Sequence, residues 1–163
     1  MTRLNVGCGP YLAEGWVNID TYSGERFTPD SVMSALMLRF HNESMERVYM
    51  GHVLEHIPYH DVGKAMDEAW RVLEPGGELV IVGPDYEKAL EAEDLEKMQE
   101  IEEGGREWEG DDHQWVCDSE TLKIVLENSQ FEDYEQVELD DLEDWPVVSF
   151  AYWQCAFRAR KNA

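Results

Sequence analysis

Between residues 61 and 82 the chain reads as a helix, a sharp stop and a buried strand, and this run limits the fold more than any other. Val62, Ala65, Met66, Ala69, Val72 and Leu73 recur at the i, i+3, i+4 spacing of a 3.6-residue period. That spacing predicts a helix over residues 61–73 with one apolar face. Pro75-Gly76-Gly77 is predicted to end it, because proline cannot continue a helix and glycine tolerates the turn. Glu78-Leu79-Val80-Ile81-Val82 follows as a buried strand, stopped by Gly83-Pro84. Arg47-Val48-Tyr49-Met50, ending at Gly51-His52, precedes the helix as another strand. A strand, a crossover helix and a strand imply a parallel sheet.

The flanking segments extend this pattern. Leu4-Asn5-Val6 is a short apolar stretch that runs into the turn Gly7-Cys8-Gly9-Pro10. Residues 16–19 alternate as a second strand ending at Asp20, residues 21–31 read as loop, and residues 32–40 are apolar, a turn of helix or a short strand. Residues 86–103 are predicted to form one very acidic helix with Tyr86, Leu90, Met98 and Ile101 along one side, ended by Gly104-Gly105. Asp118 or Ser119 suits the cap of a helix carrying Leu122, Val125 and Leu126. Two late strands, near 134–139 and 152–159, are separated by a stretch too short for a crossover helix, which predicts an antiparallel hairpin at a sheet edge. The expected fold is α/β: a Rossmann-like, doubly wound, mostly parallel sheet with a C-terminal antiparallel hairpin, in one domain spanning residues 1–163.

Charge excludes several functions. The 163 residues carry 36 acidic and 13 basic side chains, a formal net charge of -23. A binder of nucleic-acid backbones needs a basic face, and anionic lipid repels this surface, so neither nucleic acid nor membrane is an expected partner. No apolar run approaches the roughly 18 residues of a membrane span, and MTRLNVGCGP does not resemble a secretory signal. Cys8, Cys117 and Cys155 are an odd number without CxxC spacing, which fits reduced thiols and a cytoplasmic setting. Residues 85–144 hold 24 acidic and four basic residues, consistent with salt adaptation, a basic protein partner or simple solubility.

In a doubly wound sheet, ligands sit beyond the carboxyl ends of the strands, where the strand order reverses. Gly7-Cys8-Gly9, Asp20 and Gly51-His52 are all predicted there. Glycines let a backbone approach a ligand closely. A carboxylate ending the second strand can accept hydrogen bonds from both hydroxyls of a ribose. The dinucleotide fingerprint GxGxxG is absent, because Leu12 stands where its third glycine would be. No G-x-S-x-G nucleophile elbow occurs. His52, His56 and His60 recur every four residues, but Pro58 interrupts any helix through them and no carboxylate follows at matching spacing, so no metal site is expected.

LNVGCGPYLAEGWVNID, GHVLEHI and RVLEPGGELVIVGPD, in that order and spacing, resemble class I S-adenosylmethionine-dependent methyltransferases, in particular the small members of the type 11 group. HQWVCDSETLKIVLENSQF resembles that group's late H-x-W and helix segment, so the likeness spans most of residues 3–130. The resemblance implies S-adenosylmethionine as cofactor. It further implies Gly7, Cys8 and Gly9 against the methionine part, Asp20 on the ribose hydroxyls, Leu36 beside the adenine, and Gly51 and His52 near the transferred methyl. Ser34 stands where relatives offer an aspartate to the adenine amino group, which implies weaker binding unless Asp30 compensates.

Methyl transfer needs a general base only for an acceptor that is protonated near neutral pH. The candidates are His56, His113, Asp85 and Tyr86. The expected acceptor is a small molecule or peptide, neutral or cationic, bound by residues 85–118 and 140–149, where Trp108, Trp115 or Trp145 would line its mouth. The alternative is an inactive binding or scaffold protein with an acidic interaction face. Plainer roles are also expected for some of these residues: Cys8 as a small filler, and Arg71 with Glu68 and Glu74 as a solvated or sheet-edge ion pair.

Overall fold

The computed structural model describes residues 2–104, 112–147 and 149–162. Four strands, β1 (Arg3–Val6), β2 (Val17–Asp20), β3 (Ser31–Val32) and β4 (Met45–Gly51), precede helix α1 (Tyr59–Val72) and the long strand β5 (Leu73–Pro84). Helices α2 (Tyr86–Glu91), α3 (Leu95–Glu103) and α4 (Ser119–Glu127) then lead to β6 (Asp133–Val137) and β7 (Gln154–Arg160). The strands form one sheet in the order β3-β2-β1-β4-β5-β7-β6. β1 to β5 pair in parallel, and β7 runs antiparallel to both β5 and β6. The order reverses between β1 and β4, where Val6 lies beside Met50 on one side and Ile19 on the other. Gly7 and His52, which follow β1 and β4, and Asp20, which ends β2, therefore lie together at the carboxyl ends of neighbouring strands.

The two faces of the sheet are covered differently. Leu4, Val6, Ile19, Val48, Met50, Leu79, Ile81 and Phe157 form one apolar face. Against it pack Val62, Ala65, Met66, Ala69 and Val72 of α1 with Leu122, Val125 and Leu126 of α4. Each fully buried Val, Leu or Ile there contributes about 1.5–3 kcal/mol. On the other face Tyr49, Val80, Val82 and Ala156 pack beneath Trp16, Leu142 and Trp145. Arg47 stacks over the Trp145 ring at 5.0 Å and Arg3 over Trp16 at 5.9 Å. Trp145 is thus a cover for the sheet, away from any substrate mouth. The outlying Trp108 and Gly105 fall outside the described residues.

Three local expectations change. Helix α1 stops at Val72, and Pro75-Gly76-Gly77 belongs to the irregular start of β5, where Gly76 donates to the Lys161 carbonyl and Gly77 accepts from Lys161. The residue before a proline disfavours the helical region, so the chain turns extended before reaching Pro75. The predicted acidic helix is two helices, α2 and α3, separated at Glu93, which adopts a left-handed φ of 54°. Asp94 caps α3 by accepting from Lys97 N, and Leu90 is exposed. A continuous helix would leave Asp94 in an interior position it disfavours, whereas the break places it at a preferred cap. Residues 32–40 supply only the end of β3 and then a turn, which Glu68 and Arg71 clamp. Glu68 Oε2 accepts from Leu38 N at 2.6 Å, and Arg71 donates to the carbonyls of Leu38 and Phe40. That pair is a brace between α1 and the loop, away from the sheet edge. Asp118 does cap α4, through a capping box with Thr121. Among the described residues no helix is long and apolar enough to cross a membrane.

Candidate active site

The turn after β1 is built by two glycines. Gly7 has φ of 63°, and a Cβ on it would fall 2.6 Å from Val53 Cγ2. Gly9 has φ of 51°, and a Cβ there would project into open space. Both positions sit in the left-handed region that side chains resist. The turn delivers the Gly9 amide to Asp20, whose Oδ2 accepts from it at 2.9 Å, while Oδ1 accepts from Tyr22 N at 3.0 Å. A carboxylate has about four acceptor positions. Two backbone bonds hold Asp20 in place and leave acceptor capacity for a ligand's hydroxyls. Asp30 lies outside the cavity lining, where its Oδ2 accepts from the backbone and side-chain nitrogens of Asn18.

A second cluster follows β4. His52 has a left-handed φ of 55°, a conformation that costs on the order of 1–3 kcal/mol in a non-glycine residue. Its ring bonds hold it there. Gln154 Nε2 donates to His52 Nε2 at 2.7 Å, so Nδ1 carries the proton and donates to Glu55 Oε1 at 3.0 Å. Glu55 is 1% exposed. Burial pushes its carboxyl up, but the His52 hydrogen bond and the electrostatic pull of the His52 and His56 rings outweigh burial and lower its pKa. With both ring nitrogens engaged, His52 is a positioned wall residue rather than a free base. Trp153 meets it edge-on at 5.6 Å.

These elements enclose a cavity of about 400 Å³, within the range of small-molecule sites. Gly7, Gly9, Asp20, Ser34, Leu36, His52 and His56 line it, as do Tyr22, Phe27 and Met33, which the sequence reading did not single out. Five other anticipated residues lie outside its lining. Cys8 is buried, and burial, with Asp20 second, pushes its thiol up to about 12, so it is an inert filler. Gly51 makes room for the Tyr49 ring, since a Cβ on it would lie 2.4 Å from Tyr49 Oη. Asp85 is buried between β5 and α4, 3.8 Å from Lys88 Nζ and accepting from Ser119 N at 3.4 Å. Tyr86 donates to Glu102 at 2.8 Å. His113 stands just outside the cavity and meets His56 edge-on, with ring centroids 4.8 Å apart.

Trp115 explains that meeting. Its indole N–H donates to the carbonyls of Leu54 and Ile57, and Gln114 N donates to the Glu55 carbonyl. Residues 112–117 are thereby pinned against the 3-10 turn Leu54–His56. Trp115 is structural, and its work is to carry His113 to the site. Glu55 and Gln154 gave no sequence signal, because nothing in their local pattern marks them as partners of His52.

The model of the methyltransferase domain family matches residues 4–81, which contain every cavity residue named above. No curated protein matches the chain. Among solved structures, an S-adenosylmethionine-dependent methyltransferase from Thermotoga maritima is similar with a TM-score of 0.66 at 17% identity, over 99% of this chain and 82% of that one. One from Archaeoglobus fulgidus gives 0.64 at 16% identity, over 98% and 86%. A Haloferax volcanii methyltransferase in complex with a methyltransferase activator gives 0.63 at 14% identity, over 99% and 83%.

Proposed function

We propose that the chain, whose residues 4–81 match the methyltransferase domain family and whose fold is that of the similar S-adenosylmethionine-dependent methyltransferases, is itself such an enzyme, and that the cavity at the β1–β4 reversal holds the cofactor and faces a small-molecule or peptide acceptor. The observation that carries this reading is the pairing of Asp20 with the Gly7–Gly9 turn on one cavity wall. Asp20 would hold the ribose hydroxyls with its remaining lone pairs. Gly7 and Gly9 would admit the methionine portion, and Ser34 and Leu36 would border the adenine. His52, locked by Glu55 and Gln154, would form the wall beside the reacting centre. When bound, S-adenosylmethionine supplies an activated methyl with a neutral leaving group, so positioning of the acceptor contributes much of the rate.

His56 is suited to take the acceptor's proton. Its Nδ1 donates to the Asp112 carbonyl at 3.3 Å, which leaves Nε2 as the basic nitrogen of a residue in the cavity wall. His113 supports it edge-on. The strongly acidic second half of the chain favours a neutral or cationic acceptor and disfavours nucleic acid. Calorimetric titration with S-adenosylhomocysteine, with NADH as control, tests the reading. The wild type should bind the first and ignore the second. Asp20→Ala should weaken binding by about 2–4 kcal/mol, the loss of two charge-assisted bonds. Unchanged affinity in that variant would remove Asp20 from the site.

A further inference from the structure

The meeting of His56 and His113 places them beside a third metal-ligating group. One ligand atom from each of Glu55, His56 and His113 lies within 4.8 Å of those of the other two. Glu55 is buried and the two histidines are half-buried.

The hydrogen bonds around these groups are those that prepare metal ligands. His56 Nδ1 donates to the Asp112 carbonyl, and His113 Nδ1 donates to the Ile101 carbonyl at 2.7 Å. Carbonyl oxygens only accept, so each Nδ1 carries the proton and each Nε2 keeps its lone pair. Imidazole ligands are typically oriented in this way, by a backbone carbonyl on the far nitrogen. The carboxylate has its own support, because His52 Nδ1–H holds Glu55 Oε1. Two neutral imidazoles and one carboxylate suit a borderline divalent cation such as zinc, and three protein ligands leave a coordination position open.

We propose that Glu55, His56 and His113 form a binding site for a zinc-type divalent cation at the rim of the cofactor cavity. Ligands about 2.0–2.2 Å from zinc lie closer together than 4.8 Å, so the side chains draw inward on binding. His56 belongs to the cavity wall, so the open position of the metal is on the acceptor side. With its Nε2 lone pair on the metal His56 no longer serves as the base, and a hydroxyl, thiol or amine bound at the open position would instead release its proton to solvent more easily. That role rests on the methyltransferase reading, whereas the metal site itself does not.

The test uses the full-length protein stripped with chelator, titrated with zinc chloride by calorimetry and separately loaded with cobalt(II) for its visible spectrum. S-adenosylhomocysteine binding is measured in parallel on every sample. The expected result is about one equivalent of zinc per chain. His113→Ala and His56→Ala should each weaken zinc binding at least roughly tenfold and alter the cobalt spectrum, with circular dichroism unchanged. His60→Ala, at an exposed histidine outside the cluster, should match the wild type. Absence of zinc binding by the wild type, or equal binding in wild type and both variants, would overturn the site. Should either alanine variant fail to fold, Glu55→Gln and the wild-type cobalt spectrum decide it: a spectrum without imidazole coordination rejects the site. Zinc binding without S-adenosylhomocysteine binding would leave the metal site standing and sink the cofactor reading; the converse would do the reverse.

Discussion

Ser34 is seated in the cavity wall with its hydroxyl oxygen accepting from Leu36 N at 3.1 Å. An aspartate there could keep that bond with one oxygen and offer the other to the cavity. Ser34→Asp should therefore tighten S-adenosylhomocysteine binding by about 1.5 kcal/mol, read by calorimetry. No change would remove Ser34 from the proposed adenine site. The same scale explains why cysteine chemistry plays no part. Cys8, Cys117 and Cys155 are all buried and unpaired, and burial is the main force raising each thiol. A protonated, inaccessible thiol is neither a nucleophile nor a ready metal ligand. Asp20, Gly7 and Gly9 were legible as candidates because strand ends and glycine turns leave marks in the local pattern. Glu55 was not, since its value lies in reaching His52 from a neighbouring turn.

At the scale of elements, the Glu68–Arg71 brace ties α1 to residues 38–42 and so supports the loop that carries Ser34 and Leu36. The Arg71 hydrogen bond, ahead of the opposing effect of burial, lowers the Glu68 carboxyl below its ordinary value. A carboxylate depressed in the folded state stabilises the protein above its unfolded pKa, and that contribution is lost as pH falls through the folded value. Glu68→Gln keeps an acceptor for Leu38 N but no charge. Its unfolding free energy, from denaturant titrations between about pH 5 and 3, should fall less steeply than that of the wild type. Equal slopes would show that the ion pair adds nothing beyond the neutral hydrogen bond. The break between α2 and α3 is also an effect at this scale. The placement of Tyr86, Leu90, Met98 and Ile101 suggested one long acidic helix, but capping by Asp94 decided otherwise.

Across the whole molecule, a net charge of -23 acts against compactness through self-repulsion. Salt shortens the reach of that repulsion, from about 30 Å at 0.01 M to about 10 Å at 0.1 M. The thermal midpoint should therefore rise with sodium chloride over this range, as measured by scanning calorimetry. A flat or falling midpoint would mean that specific ion pairs such as Arg160–Glu78 outweigh the general repulsion. The sheet itself is well insulated from this charge, with α1 and α4 on one face and Trp16 and Trp145 on the other.

What the sequence determined by itself was the periodic part of the molecule. The alternation of strands, the apolar face of α1, the α4 cap and the glycine turns with Asp20 at strand ends all follow from interactions between residues close in the chain. Tertiary structure alone decided which distant residues meet. Trp115 docks on the turn at 54–57 and brings His113 to His56. β7 carries Gln154 to His52 across 102 positions of chain. Such contacts depend on how the elements pack, and packing energy is a property of the folded core that no local pattern encodes.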